Sequence, residues 1–166
     1  LGAVMGSKKL RAIAVRGTGQ VQIKYKKKVL EFCKWFSTNI KKNEGLSFKS
    51  KYGTAGGVIP MDTMGLLPTH NFREGSFKYA HMISGEEMYN KFLKKREGCY
   101  SCPVRCKRVV DYKNSNIVIE GKYGGPEYES IGSLGSACEI GDLKYICKAN
   151  ELCGRFGLDT ISTGMT

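Results

Sequence analysis

Apolar positions recur at helical spacing in several stretches of the chain. Val29, Cys33, Phe36 and Ile40 fall three or four apart, and Leu30 and Phe32 widen the stripe. The spacing predicts an amphipathic helix of about four turns, with Cys33 as a small buried hydrophobe on its apolar face. Residues 84–98, SGEEMYNKFLKKREG, open with a capping box: Ser84, then Glu87 three residues on. Met88, Tyr89, Phe92 and Leu93 form the stripe, and Gly98 is the left-handed residue expected to end that helix. Pro126 opens the next helix, which carries Glu127, Tyr128 and Glu129 in its first turn and runs to Gly141. Carboxylates at that end are favoured by the helix dipole. Asp142 then caps a helix with Leu143, Ile146, Cys147, Asn150 and Cys153 at helical spacing, closed by Gly157.

Other stretches follow different patterns. Residues 12–15, AIAV, are a short apolar run that predicts a buried strand, and Gly17, Thr18 and Gly19 break it. Residues 108–112 and 117–120 read as a small hairpin around 113–116. Residues 51–75 are rich in Gly, Pro and Thr and predict a long loop with at most a turn of helix. Apolar residues within it, such as Val58 and Leu67, argue against disorder. His70 near its end is expected to be structural rather than a ligand or base. The fold class is mainly α: a short N-terminal β segment ending a first domain, then part of a helical domain with a small hairpin and a cysteine loop. The boundary falls between 19 and 20. The chain opens on Leu1 beside a glycine-rich run and stops at LDTISTGMT, so it reads as an internal fragment.

Composition adds a charge imbalance. The 166 residues hold 27 Lys and Arg against 15 Asp and Glu, a net charge of +12. That surplus reads as a solvated basic surface, as a piece of a larger protein lacking its acidic complement, or as a footprint for an anion. The anion could be nucleic acid, membrane lipid, an acidic redox partner or a cofactor. No apolar run approaches the roughly 20 residues needed to span a bilayer. The seven cysteines are odd in number, so no disulfide framework uses them all. A reducing cytoplasm is the expected compartment, and clustered cysteines there more often hold metal.

The cluster is GCYSCPVRCKR, residues 98–108, with Cys99, Cys102 and Cys106 spaced C-x2-C-x3-C. Thiolates are soft ligands that suit zinc or iron–sulfur iron. Structural zinc normally takes two separated pairs, and only one C-x2-C is present. An iron–sulfur cluster with a remote fourth ligand is the second possibility; ferredoxins use a related tight cysteine run. Three unrelated thiols are the third. Haem attachment fails because Pro103 follows Cys102.

Five stretches, LGAVMGSKKLRAIAVRGT, GLLPTHNFREG, GCYSCPVRCKR, GGPEYESIGSLGSACEIGDL and ANELCGRFGLDTISTG, together resemble the tungsten-containing aldehyde:ferredoxin oxidoreductases, in the family's order. The resemblance implies oxidation of an aldehyde to a carboxylic acid at tungsten (or molybdenum) held by two molybdopterins, a tungstopterin or molybdopterin bis-pterin centre. Electrons would leave through a 4Fe–4S cluster to ferredoxin. Residues 1–19 would be the C-terminal edge of the pterin-bearing β domain, and 20–166 part of the helical second domain. Cys99, Cys102 and Cys106 match the family's clustered iron ligands, with the fourth cysteine far towards the C-terminus, outside this chain. Cys138, Cys147 and Cys153 then read as helix-packing residues. Gly157, Leu158 and Asp159 match the pterin motif D-x-x-G-L-[DC]; Gly154 stands where the motif has its first Asp. The GPEYE stretch looks like the source of the active-site glutamate, and Glu129 is favoured over Glu127. LGAVMGSK resembles a turn that approaches a pterin phosphate through its backbone N–H groups.

The resemblance also implies a homo-oligomeric full-length protein, with neither nucleic acid nor membrane as a partner. Phosphates of the pterins and an acidic ferredoxin would both use the positive charge. Two other readings stand beside it: a basic zinc module that binds nucleic acid, with Tyr25 among Lys24, Lys26, Lys27 and Lys28, and a related bis-pterin aromatic acid reductase.

Overall fold

A computed structural model describes residues 2–166; Leu1, which opens the glycine-rich stretch, lies outside the described residues. In chain order the elements are α1 (Gly2–Ser7), α2 (Lys26–Asn39), α3 (Glu44–Tyr52), α4 (Val58–Thr63), α5 (Gly85–Lys91), β1 (Leu93–Glu97), β2 (Lys107–Val110), β3 (Tyr112–Lys113), β4 (Val118–Ile119), α6 (Tyr128–Leu134), α7 (Leu143–Phe156) and α8 (Thr160–Met165). About 52% of the chain is helical and 9% is strand, so it is mainly α with small hairpins. The core joins α4, α5, β2, β4, α6 and α7 through Val58, Met88, Val110, Ile119, Ile131 and Ile146. Each such side chain contributes about 1.5–3 kcal/mol by leaving water.

The caps that the sequence spells out are in place. Ser84 Oγ accepts from the Glu87 amide at 3.1 Å. Glu87 does not complete the box, because its carboxylate pairs instead with Lys91. Asp142 Oδ1 accepts from the Lys144 amide at 2.9 Å, and Gly157 ends α7 in the left-handed region at φ 67°.

The helix predicted over 84–98 is cut short. It ends at Lys91, and residues 93–97 form β1, antiparallel to β2, with Leu93 opposite Val110 and Glu97 opposite Lys107. Lys94, Lys95 and Arg96 offer no apolar residue to continue the stripe, so pairing with the apolar β2 outweighs local helix preference. Gly98 therefore sits at the mouth of a hairpin rather than at a helix end. The hairpin predicted around 113–116 is present but shorter: β3 pairs with β4, while residues 108–110 pair with β1. Asn114 Oδ1 closes its turn by accepting from the Asn116 and Ile117 amides.

Residues 51–75 hold more structure than their composition predicts. They contain the end of α3, all of α4 and a bridge between Thr69 and Glu74. Asp62 Oδ1 pins this stretch by accepting from the Phe77 amide at 2.6 Å. His70, Asn71 and Phe72 are left-handed in succession, at φ 48°, 54° and 63°. The His70 and Asn71 amides donate to the Ser136 and Ala137 carbonyls, which holds that strained turn against the end of α6. His70 Nδ1 lies 2.9 Å from Glu74 Oε1, in keeping with a structural role.

Two expectations near the start are corrected. Residues 12–15 form no strand, and Ile13 and Val15 are 75% and 87% exposed. A strand needs a hydrogen-bonded neighbour, and no strand lies beside them among the described residues. Helix α2 forms where the periodicity puts it, but it buries no residue and Cys33 is exposed. Its apolar face, with Trp35 58% exposed and stacked on Phe32 at 5.7 Å, has no cover among the described residues. The helix from Pro126 also ends early, at Leu134, and a short 3-10 turn over Ser136–Cys138 follows. A Cβ at Gly135 would lie 2.4 Å from the Ile131 carbonyl oxygen, so the chain turns there on a residue without one.

Candidate functional site

The cysteine loop joins β1 to β2, so both its ends are anchored in one hairpin. The Cys102 amide donates to the Cys99 carbonyl at 3.0 Å, and Ser101 and Arg105 curl the loop with φ of 55° and 51°. Cys99 is exposed, Cys102 and Cys106 are half-buried, and none is in a disulfide. Cys99 and Cys102 line a cleft of about 320 Å³ with Glu97, Ser101 and Arg105. Among the described residues no group of three His, Cys, Asp or Glu side chains is gathered as a metal site. The three thiols therefore share a loop without converging. Their donor chemistry still fits an iron–sulfur cluster: three soft ligands in one loop, one exposed and two half-buried.

The far side of the loop leads to the carboxylates of GPEYE. Gly53 is left-handed at φ 70°, and a Cβ there would lie 2.8 Å from the Cys106 carbonyl oxygen. The next residue, Thr54, donates from Oγ1 to Glu127 Oε2 at 2.5 Å and accepts from the Tyr128 amide at 2.9 Å. Glu127 is thus the N-cap residue of α6, with its carboxylate occupied by a hydroxyl. Glu129, the second residue of α6, is exposed and lines a cavity of about 340 Å³ with Phe48, Gly57, Met61 and Tyr128. Burial, then the Glu129 charge, raises the Tyr128 phenol above its ordinary range, so a neutral hydroxyl-bearing ring stands beside the free carboxylate.

Helix α6 also meets α8, which follows directly on the motif 157–159. Ser130 Oγ and Thr160 Oγ1 share a hydrogen bond of 2.7 Å, and Ser133 Oγ donates to the Thr160 carbonyl at 3.2 Å. A Cβ on Gly164 of α8 would lie 2.5 Å from the Ser133 backbone, so the two helices cross backbone to backbone. Asp159 caps α8 by accepting from the Ser162 amide at 2.7 Å. That bond holds its carboxyl below the ordinary range, so it stays anionic with lone pairs to spare. The Gly157 and Leu158 amides both donate to the Cys153 carbonyl, which turns the chain sharply between α7 and α8. Leu158 stands 48% exposed at that turn.

The glycine-rich opening meets the same turn. The Ala3 amide donates to the Gly157 carbonyl at 3.0 Å, and a Cβ on Gly2 would lie 3.1 Å from Gly157 Cα. The two glycine-bearing segments, more than 150 positions apart in sequence, are therefore in main-chain contact. The anionic Asp159 carboxylate beside this turn, with lone pairs to spare, fits a pterin, whose ring offers N–H donors.

Of the remaining cysteines, Cys147 and Cys153 are buried in α7 as expected for packing. Burial raises the Cys147 thiol far above its ordinary value, so it is inert. Cys138 departs from expectation: it is exposed, with its thiol donating to the Ser133 and Gly164 carbonyls. Sequence reasoning gave no role to Thr54 or to Arg108. Arg108 is 1% exposed in β2, beside the buried Val109 and Val110. A basic residue directly before an apolar pair was its only signal.

Residues 31–166 match the family model described as aldehyde ferredoxin oxidoreductase, domains 2 and 3. The chain is 45% identical over its whole length to the tungsten-containing aldehyde ferredoxin oxidoreductase of Thermococcus kodakarensis, and 42% identical to that of Pyrococcus furiosus. A protein of Pyrococcus furiosus named aliphatic sulfonate oxidoreductase, WOR-like subunit, is 31% identical over 98% of the chain. The chain therefore belongs to the aldehyde ferredoxin oxidoreductase family. It spans about 27% of the length of the first two relatives and 26% of the third. No helix among the described residues is long and apolar enough to cross a membrane.

Proposed function

We propose that this chain is the part of a tungsten-containing aldehyde:ferredoxin oxidoreductase that holds the iron–sulfur cluster and one pterin motif, and that the intact protein oxidises an aldehyde to a carboxylic acid. The observation that carries the reading is the run of direct contacts from the cysteine loop through Gly53 and Thr54 to the start of α6, and from α6 to Thr160, the residue after Asp159. On this reading, that run joins an electron exit to a catalytic carboxylate and a pterin site.

On this reading Cys99, Cys102 and Cys106 hold a 4Fe–4S cluster with a fourth ligand from elsewhere in the protein. Asp159 and the backbone at Gly157 and Leu158 hold one pterin. The bound bis-pterin tungsten supplies two-electron redox chemistry that no side chain offers. Glu129 handles protons: its carboxylate takes one from water as the oxygen adds to the carbonyl carbon. The aldehyde and water yield the carboxylic acid, two protons and two electrons; a cluster held by Cys99, Cys102 and Cys106 would supply the one-electron relay that a ferredoxin acceptor needs. Residues 1–19 belong to the edge of the pterin-bearing β domain, whose other residues would cover the exposed Ile13 and Val15. A similar chain named for aliphatic sulfonates supports a division of labour in which this segment serves cofactor and electron transfer rather than substrate choice.

The basic zinc module is not favoured, because the family match covers the cysteine loop itself. The test is turnover by the intact protein, purified without oxygen. Aldehyde-dependent reduction of ferredoxin with carboxylate as product supports the reading. Absence of turnover with aldehydes, together with reduction of carboxylic acids, would move it to the acid reductases.

A further inference from the structure

The guanidinium of Arg108 lies directly beneath the cysteine loop. It is enclosed by protein and makes four hydrogen bonds, all to main-chain carbonyls. Nε donates to Cys106 at 3.2 Å and Nη2 to Arg105 at 2.7 Å, both in the loop. Nη1 donates to Lys51 at 2.5 Å and Nη2 also to Ser50 at 3.0 Å, both at the end of α3. The last carbonyls of a helix lack intrahelical donors, and a cation is favourable there. The planar fork of arginine can serve both segments at once, which an ammonium cannot.

The surrounding residues leave room for this ion and little else. A Cβ on Gly53 would lie 3.1 Å from Arg108 Nε, and one on Gly125 would lie 3.2 Å from Arg108 Cβ. A second tether runs in parallel: Arg105 Nη2 donates to the Arg96 carbonyl at 2.9 Å, and Arg96 Nη1 donates to the Ser50 hydroxyl at 3.2 Å. Enclosing an ion costs free energy, and one held only for packing would be replaceable by an apolar residue.

We propose that Arg108 is a positioning residue for the iron–sulfur cluster: it fixes the main chain at Arg105 and Cys106 against α3, and it places a buried positive charge behind the Cys106 ligand. This rests on the cluster reading given above. A cation there favours the more negative, reduced form of the cluster. It therefore raises the midpoint potential and slows loss of iron by keeping Cys106 in place.

The test uses the intact protein, made anaerobically as wild type, R108K, R108Q and the surface control K107Q. Iron and acid-labile sulfide are measured, then the rate of iron loss to a chelator, and then the midpoint potential by electron paramagnetic resonance titration. R108Q is expected to lose iron at least ten times faster and to titrate at a more negative potential. R108K keeps the charge without the four-carbonyl fork, so it is expected to hold a near-wild-type potential while losing iron several times faster. K107Q is expected to match wild type in both. If R108Q fails to fold by circular dichroism, R108K decides through its rate of iron loss. Wild-type iron retention and potential in both Arg108 variants would overturn the proposal and leave the cluster reading intact. Wild-type protein without iron and sulfide would overturn the cluster reading itself.

Discussion

Thr54 Oγ1 donates to Glu127 Oε2 at 2.5 Å while accepting from the Tyr128 amide, so a single hydroxyl binds the carboxylate and the first amide of α6 together. Glu127 is thereby committed to holding the helix, and Glu129 is left free beside the cavity. The two glutamates of GPEYE should then respond differently to the same change. Glu129→Gln is expected to lower kcat by about 10²–10⁴-fold with the fold intact, the usual loss of a general base. Glu127→Gln is expected to cost about 1 kcal/mol of stability with less than a tenfold loss of kcat. Steady-state kinetics with thermal melts of both variants would decide, and a reversed ranking would assign the catalytic role to Glu127.

Gly53 adds a steric prediction. Its φ of 70° is strained for any residue with a Cβ, and that atom would lie 2.8 Å from the Cys106 carbonyl. Gly53→Ala is expected to destabilise by about 1–3 kcal/mol and to reduce iron content. Unchanged melting and iron content would separate the cysteine loop from α3.

Glu151 gives a pH prediction. It is 1% exposed and accepts from the Glu120 amide, Lys148 and Arg155. Burial pushes its carboxyl up, but these partners outweigh burial and hold it below the ordinary range. A depressed folded pKa contributes stability above the unfolded value, near 4.3, and that stability is lost as pH falls through the folded value. Glu151→Gln is therefore expected to lower stability at pH 7 by about 2 kcal/mol and to flatten the loss on acidification below about pH 4. Denaturant melts at several pH values would measure it; parallel curves for the two proteins would contradict it.

Much of this architecture is local in origin and was therefore legible in the sequence. Ser84, Asp142 and Gly157 act within a few residues of themselves, and each caps the helix it was expected to cap. The spacing of Cys99, Cys102 and Cys106 marked the loop for the same reason. What the sequence hid depends on partners far along the chain. β1 exists because β2 pairs with it, although Lys94, Lys95 and Arg96 carry no strand pattern of their own. Thr54 reaches Glu127 across 73 positions, and Arg108 reaches Lys51 across 57. Cys33 was assigned to a buried face that nothing among the described residues covers. Glu127 and Glu129 look alike in GPEYE, and only the Thr54 hydroxyl separates them.

Metal content bears most directly on the proposal that the cysteine loop binds an iron–sulfur cluster in a tungsten enzyme. The most direct measurement is iron, acid-labile sulfide, tungsten and zinc in the intact protein purified without oxygen, with Cys102→Ser and Cys138→Ser measured beside it. The account predicts about four iron and four sulfide per chain with tungsten present, loss of iron in Cys102→Ser, and wild-type iron in Cys138→Ser. Zinc without iron or tungsten would contradict it and make the loop a structural knuckle.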